Sequence, residues 1–219
     1  MKTTLLDYPG EVSSIIFTPG CNLRCPYCHN PSLVIHSENN PDLLPIEEIK
    51  TFLEKRKKLI GGVVITGGEP LIYDDIKNLV LYIKSLGLKV KIDTNGLFPD
   101  LLKKLDVDYI AMDIKTSPEN YYKLGLKGNN NRLLESISYI IESGIEHEFR
   151  TTVSEEIVTE NDIKNLLPLL ERANHWYFTP FQPGNTLDPT FNTKNSPSKE
   201  YMESLLSIAL KGGIKSSIR

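Results

Sequence analysis

A repeated alternation restricts the fold of this chain more than any other feature. Short runs rich in Val and Ile fall at residues 12–18, 63–66, 90–94, 109–114, 148–153 and 176–180. Between and after them lie longer stretches whose apolar residues recur at helical spacing, at 45–58, 74–86, 99–105, 132–143, 161–172 and 197–211. Parallel strands cannot be joined by a tight turn; each needs a crossover of about a dozen residues, usually a helix. Six strand-then-helix units therefore predict an α/β fold with a parallel sheet. Two architectures fit, an open doubly wound sheet and a partial (β/α)6 barrel of parallel strands. Both gather the loops that follow the strands on one rim, so the chemistry is expected in those loops.

Local signals place several boundaries. Asp74 is expected to cap the second helix and Gly87 to end it in a left-handed turn, while Ser143-Gly144 reads as a stop and Ser196-Pro197 as a start. The Asn-rich stretches 37–41 and 128–131 read as mobile loops. With no internal repeat or low-complexity tract, 219 residues form a single domain, residues 1–219. A net charge of −3 with acids and bases interspersed leaves no basic stripe, so nucleic acid is not expected as a partner. No window resembles a signal peptide or reaches bilayer-spanning length; the protein is expected to be cytoplasmic, without a membrane partner.

The chain has three cysteines, Cys21, Cys25 and Cys28, all within one short segment. A disulfide framework would spread an even number along the chain, so a metal or cluster is the better reading. The segment follows the first strand directly and lies on the rim. Three thiolates suit a 4Fe-4S cube, because four corners with three protein ligands leave one iron open. The alternative is a structural zinc site of the three thiols plus His29. It is disfavoured because neighbours such as Cys28 and His29 diverge, and because zinc ligands usually come as two separated pairs.

The spacing Cys-x-x-x-Cys-x-x-Cys, with Tyr27 before the last cysteine, resembles the signature of the radical S-adenosylmethionine (SAM) superfamily. The wider stretch is similar to glycyl-radical-enzyme activating proteins: Asp7-Tyr8-Pro9-Gly10, Ile15-Ile16-Phe17-Thr18-Pro19-Gly20, and His29-Asn30-Pro31 after the cysteines. Within that group it is most similar to the longer form of the anaerobic ribonucleoside-triphosphate reductase activating protein. The resemblance implies the partial (β/α)6 barrel of parallel strands, one 4Fe-4S cluster on Cys21, Cys25 and Cys28, and SAM as cofactor. It also implies a glycyl radical enzyme as partner and a flavodoxin- or ferredoxin-type electron donor.

Other rim residues gain a role the same way. Gly67-Gly68-Glu69-Pro70 follows the second strand; on its own it is equally a tight turn or a ligand cradle with Glu69 as acceptor. In radical SAM proteins this string binds the methionyl amino group of SAM. Asp93 and Asn95, in Asp93-Thr94-Asn95-Gly96, could simply form an Asx turn. Asp113 and Lys115 share one face of their strand, and Arg150 could pair with either charge or meet a ligand. The resemblance assigns Asp113 and Lys115 to SAM contact, places Asp93, Asn95 and Arg150 at matching polar positions, and adds Tyr27 and His29. Gln182 stands where the formate-lyase type of activating protein has a His, and Glu11 where that type has a hydrophobic residue. A small-molecule radical SAM enzyme of purine-analogue or cofactor biosynthesis is the competing function. The basic run at residues 55–58, together with His36, His147, His175, Trp176 and Tyr121-Tyr122, reads as helix end, surface or core.

Overall fold

The computed structural model describes residues 2–35, 43–128 and 130–219. Among the described residues eight strands form one sheet: β1 (Lys2–Thr4), β2 (Ser13–Thr18), β3 (Gly62–Gly67), β4 (Lys89–Thr94), β5 (Tyr109–Asp113), β6 (Glu146–Val153), β7 (Trp176–Pro180) and β8 (Ser216–Ile218). Their spatial order is their chain order. All six anticipated strands are present, β2 to β7, and every pairing from β2 to β8 is parallel. The two additions are edge strands of three residues each, with β1 antiparallel to β2.

Strand order decides between the two architectures. A doubly wound sheet reverses its order at a switch point, and this sheet never does. Crossovers of one hand along an unreversed order put every helix on the same face, which is barrel winding. β1 and β8 are not paired with each other, so the barrel is partial and open between them.

The helices are α1 (Pro31–Val34), α2 (Ile46–Arg56), α3 (Ile76–Ser85), α4 (Pro99–Leu102), α5 (Asn131–Glu142), α6 (Glu160–Leu170) and α7 (Lys199–Lys211). Strand residues alternate between two environments. Val90 and Ile92 of β4, Ile110 and Met112 of β5, and Phe149 of β6 pack with Ile83, Ile137 and Leu166 of the helices in the main core. The intervening positions point away from the helices, where Tyr8, Ile15 and Val64 pack with Tyr109 as a second, smaller cluster. Lys91 is level with that floor, and above it the inward positions are charged: Asp93, Asp113, Glu148 and Arg150.

Several local expectations need correction. Asp75, not Asp74, occupies the N-cap of α3, without a side-chain cap bond. Ser198, not Ser196, caps α7, accepting from the Tyr201 amide; it is extended and is the one residue between Pro197 and the helix. Gly87 and Gly144 have φ of 76° and 74°, the left-handed stops their positions implied. The stretch 37–41 and His36 lie outside the described residues. Of 128–131, residue 129 lies outside the described residues, while Asn130 is the N-cap of α5 and Asn131 its first residue, so these two belong to a helix start. Trp176 is a core residue donating its indole N–H to Thr151, and His147 is packed between the Ile145 carbonyl and the Asn174 amide.

Candidate active site

The cysteine loop leaves β2 through Gly20, whose φ of 77° favours glycine, and four neighbouring segments hold it. The turn after β3 is the closest. The Gly68 amide donates to Thr18 O and the Glu69 amide to Gly20 O, both at 2.8 Å. A Cβ on Gly68 would lie 1.9 Å from Gly20 O, so this approach of two backbones requires glycine there. From β4, Asn95 Nδ2 donates to Asn22 Oδ1 at 2.7 Å. The 3-10 turn Pro118–Leu124 after β5 accepts the Arg24 amide at Leu124 O. From the segment after β7, the Leu187 and Asp188 amides donate to Cys28 O and Pro26 O at 3.0 Å.

A cavity of about 110 Å³ results. Cys21, Cys25 and Cys28 face it with Gly67, Gly68, Asp93, Asn95, Asp113 and Lys115, and Leu33 and Val34 of α1 close one side. Tyr27 also lines it; its hydroxyl is buried without a hydrogen-bond partner among the described residues. Burial pushes the Cys25 thiol up to about 12 despite the nearby Lys115 cation, and burial raises Cys21 as well. Among the described residues no three His, Cys, Asp or Glu side chains converge to hold a single metal ion. Zinc needs that convergence, whereas a cube takes each thiolate on a different corner. A thiol set around one small cavity, backed by glycines and flanked by Lys115, fits a cluster.

The charged rim residues are paired. Asp113 accepts from Lys115 Nζ and from Arg150 Nε, both at 2.8 Å, and Asp93 accepts from Lys91 Nζ at 2.5 Å and Arg150 Nη1 at 3.2 Å. Burial acts to raise the Asp113 pKa, but the Arg150 and Lys115 cations outweigh it and hold the carboxyl well below its usual range. For Lys115, burial favours the neutral amine and Asp113 overrides it, so the ammonium persists. The Lys115 amide donates to Tyr121 Oη at 3.1 Å, which positions the strand exit.

Four sequence candidates do not line the cavity. Glu69 is completely buried, with Oε1 accepting from the Leu71 amide and Thr94 Oγ1 and Oε2 from the Asn95 amide. It braces the β3 turn against the end of β4. Arg150 acts through Asp93 and Asp113. His29 is exposed and stacks on Phe181, ring centroids 5.6 Å apart. Gln182 is exposed, its Oε1 accepting from Ser196 Oγ at 3.3 Å. Glu11 accepts from Lys89 Nζ at 2.5 Å. Sequence reasoning missed Asn22, Tyr121, Leu124, Leu187 and Asp188. Three of these act through backbone atoms, which leave no mark on residue type; Asn22, a polar residue inside the cysteine loop, was the one available signal.

The model of the radical SAM superfamily matches residues 15–170, and the chain belongs to that superfamily. It is a radical SAM enzyme, and its cofactors are a 4Fe-4S cluster on three cysteines and SAM. Within the superfamily, the chain is 30% identical over 216 residues to a protein named as a glycyl-radical enzyme activating enzyme from Methanocaldococcus jannaschii, covering 94% of this chain and 88% of that one. It is 36% identical over 138 residues to the pyruvate formate-lyase-activating enzyme of Listeria monocytogenes, covering 57% and 55%. The fold matches SuiB of Streptococcus suis bound to SAM, with a TM-score of 0.70 and 19% identity over 94% of this chain and 50% of that one. No helix among the described residues is long and apolar enough to cross a membrane.

Proposed function

We propose that this chain, as a single radical SAM domain over residues 1–219, activates a glycyl radical enzyme, with anaerobic ribonucleoside-triphosphate reductase as the partner. The observation that carries the reading is the likeness to a glycyl-radical enzyme activating enzyme over nearly the whole of both chains. Cys21, Cys25 and Cys28 hold the cluster. A cluster held there would supply the single electron for reductive cleavage of SAM to methionine and a 5′-deoxyadenosyl radical, which would take a hydrogen atom from a glycine of the partner. Electrons come from a flavodoxin- or ferredoxin-type donor in the cytoplasm.

The chain's own residues bind and orient. Gly67 and Gly68 let SAM approach the backbone, and Glu69 holds their turn against β4. Asp93, Asn95, Asp113 and Lys115 offer SAM polar contacts, with Arg150 fixing the two aspartates. Tyr27 walls the cavity beside Cys25. The unpaired edge is the route for a polypeptide: β1 covers only residues 13–15 of β2, and Phe17, 54% exposed, stands beyond it. An extended segment can reach the rim from that side.

A small-molecule reading is supported by likenesses to a protein named as GTP 3′,8-cyclase, 30% identical over 135 residues and spanning 58% of this chain and 44% of that one, and to one named as Fe-coproporphyrin III synthase, 29% identical over 181 residues and spanning 78% and 44%. Mixing the reduced, cluster-loaded protein with SAM and the reductase under anaerobic conditions tests the first reading. A glycyl-radical doublet in the electron paramagnetic resonance spectrum is expected. Its absence on every glycyl radical enzyme of the source organism, with turnover of a nucleotide instead, would favour the second.

A further inference from the structure

Below the rim, the inward face of the sheet holds a carboxylate for which the site has no use. The Glu148 side chain on β6 is 2% exposed and lies two residues before Arg150, hence on the same face of the strand. It accepts from Tyr109 Oη at 3.2 Å and from both terminal nitrogens of Arg219, at 3.1 and 2.8 Å. Arg219 follows β8 and reaches across the Tyr177 ring of β7, its guanidinium carbon 3.5 Å from the ring centroid. Its side chain therefore spans two strands to reach the interior.

Arg150 stands between this pair and the rim. Its Nε holds Asp113, while its Nη1 is 3.2 Å from Asp93 and 3.9 Å from Glu148. One guanidinium nitrogen thus faces two carboxylates, and the closer contact goes to Asp93 because Arg219 already satisfies Glu148. A buried carboxylate stripped of its partner is strongly unfavourable. Without Arg219, the nearest relief is a swing of Arg150 Nη1 onto Glu148, at the expense of Asp93. Lys91 cannot relieve Glu148 without releasing the same aspartate, which it contacts at 2.5 Å.

We propose that Arg219 is a positioning residue for the rim: by occupying Glu148 it keeps Arg150 on Asp93 and Asp113. The inference rests on the reading of those aspartates as the SAM-facing rim. It assigns β8, which the six-unit pattern does not contain, a part in cofactor binding, although Arg219 does not line the cavity.

The test uses anaerobically reconstituted, cluster-loaded protein. Its readouts are SAM affinity by calorimetry and the SAM-induced change in the resonance spectrum of the reduced cluster. Arg219→Gln should weaken SAM binding by about tenfold, within the range of couplings in ion-pair networks. Adding Glu148→Gln removes the competitor and should bring affinity back to within about threefold of the parent. A purely structural role for Arg219 would instead lower stability in urea unfolding while leaving the SAM affinity of the folded, cluster-loaded protein unchanged. Asp113→Ala serves as the reference. If it weakens SAM binding while Arg219→Gln does not, the positioning role is overturned and the rim reading stands. If the double variant stays as weak as Arg219→Gln, the positioning role is again overturned. Unchanged affinity in Asp113→Ala would overturn both.

Discussion

Replacing Glu69 by Gln separates two consequences of burying a carboxyl group in the turn that braces the cysteine loop. Burial raises the Glu69 pKa from its ordinary 4.5 to about 7, against the lowering effect of the Asn95, Thr94 and Leu71 hydrogen bonds. A pKa raised on folding means that the native state binds more protons than the unfolded chain. The stability contribution is therefore fully present below pH 4.5 and is lost as pH rises through 7. At 1.36 kcal/mol per unit, the loss is about 3 kcal/mol between pH 4 and pH 8. The Gln side chain cannot ionise, but it presents an amide where Oε2 accepts from Asn95, which costs about 1–3 kcal/mol at every pH. The variant should thus be clearly less stable than the parent at pH 5, and the gap should close or reverse by pH 8. Urea unfolding of both cluster-free proteins under reducing conditions, at intervals from pH 4.5 to 8.5, gives the difference directly. Other titrating groups are common to both and cancel. A difference that stays constant across this range would refute the reasoning.

Three other outcomes follow from the same geometry. Each of Cys21→Ala, Cys25→Ala and Cys28→Ala should abolish the iron and sulfide content of the reconstituted protein, read by elemental analysis and absorbance; stoichiometric zinc in the parent with no iron uptake would contradict it. Gly68→Ala should displace the cysteine loop, because its Cβ would meet Gly20 O at 1.9 Å, and should lower iron retention at least as much as thermal stability. Asp162 is 1% exposed and accepts from Thr116, Ser117, Asn120 and Thr159. Burial acts to raise its pKa, but the Ser117, Thr159 and Asn120 bonds hold it well below the ordinary 3.8, so its stabilisation is present above that value and lost as pH falls further. Asp162→Ala should cost about 3 kcal/mol in urea unfolding at pH 7; a cost under about 1 kcal/mol would contradict that role.

The six parallel strands were legible because a buried strand needs Val and Ile in unbroken runs, and the crossovers are long enough to show helical period. β1 and β8 were not, because Lys-Thr-Thr and Ser-Ser-Ile are polar, three residues long, and lie at edges where one flank needs no apolar cover. Periodicity also cannot report strand order, so it left barrel and doubly wound sheet equal; the resemblance favoured the partial barrel, and the unreversed strand order bears that out. At the site, the cysteines and Gly68 were readable because thiolate spacing and the absence of a Cβ are properties of residue type. The partners of Glu69 were not legible, since nothing in Gly-Gly-Glu-Pro shows that Leu71, Thr94 and Asn95 donate to its two oxygens. Arg219 lies 69 residues from Arg150 in the chain and meets Glu148 only because β8 closes over β7.

Transfer of hydrogen is the step on which the whole account turns, and isotope labelling follows it atom by atom. A glycyl radical enzyme produced with glycine deuterated at the α carbon is mixed anaerobically with the reduced, cluster-loaded protein and SAM, and the 5′-deoxyadenosine formed is analysed by mass spectrometry. The account predicts one deuterium in the 5′ methyl group, in step with the rise of the glycyl radical signal. Unlabelled 5′-deoxyadenosine, formed without any glycyl radical and in proportion to the consumption of a small molecule, would contradict it.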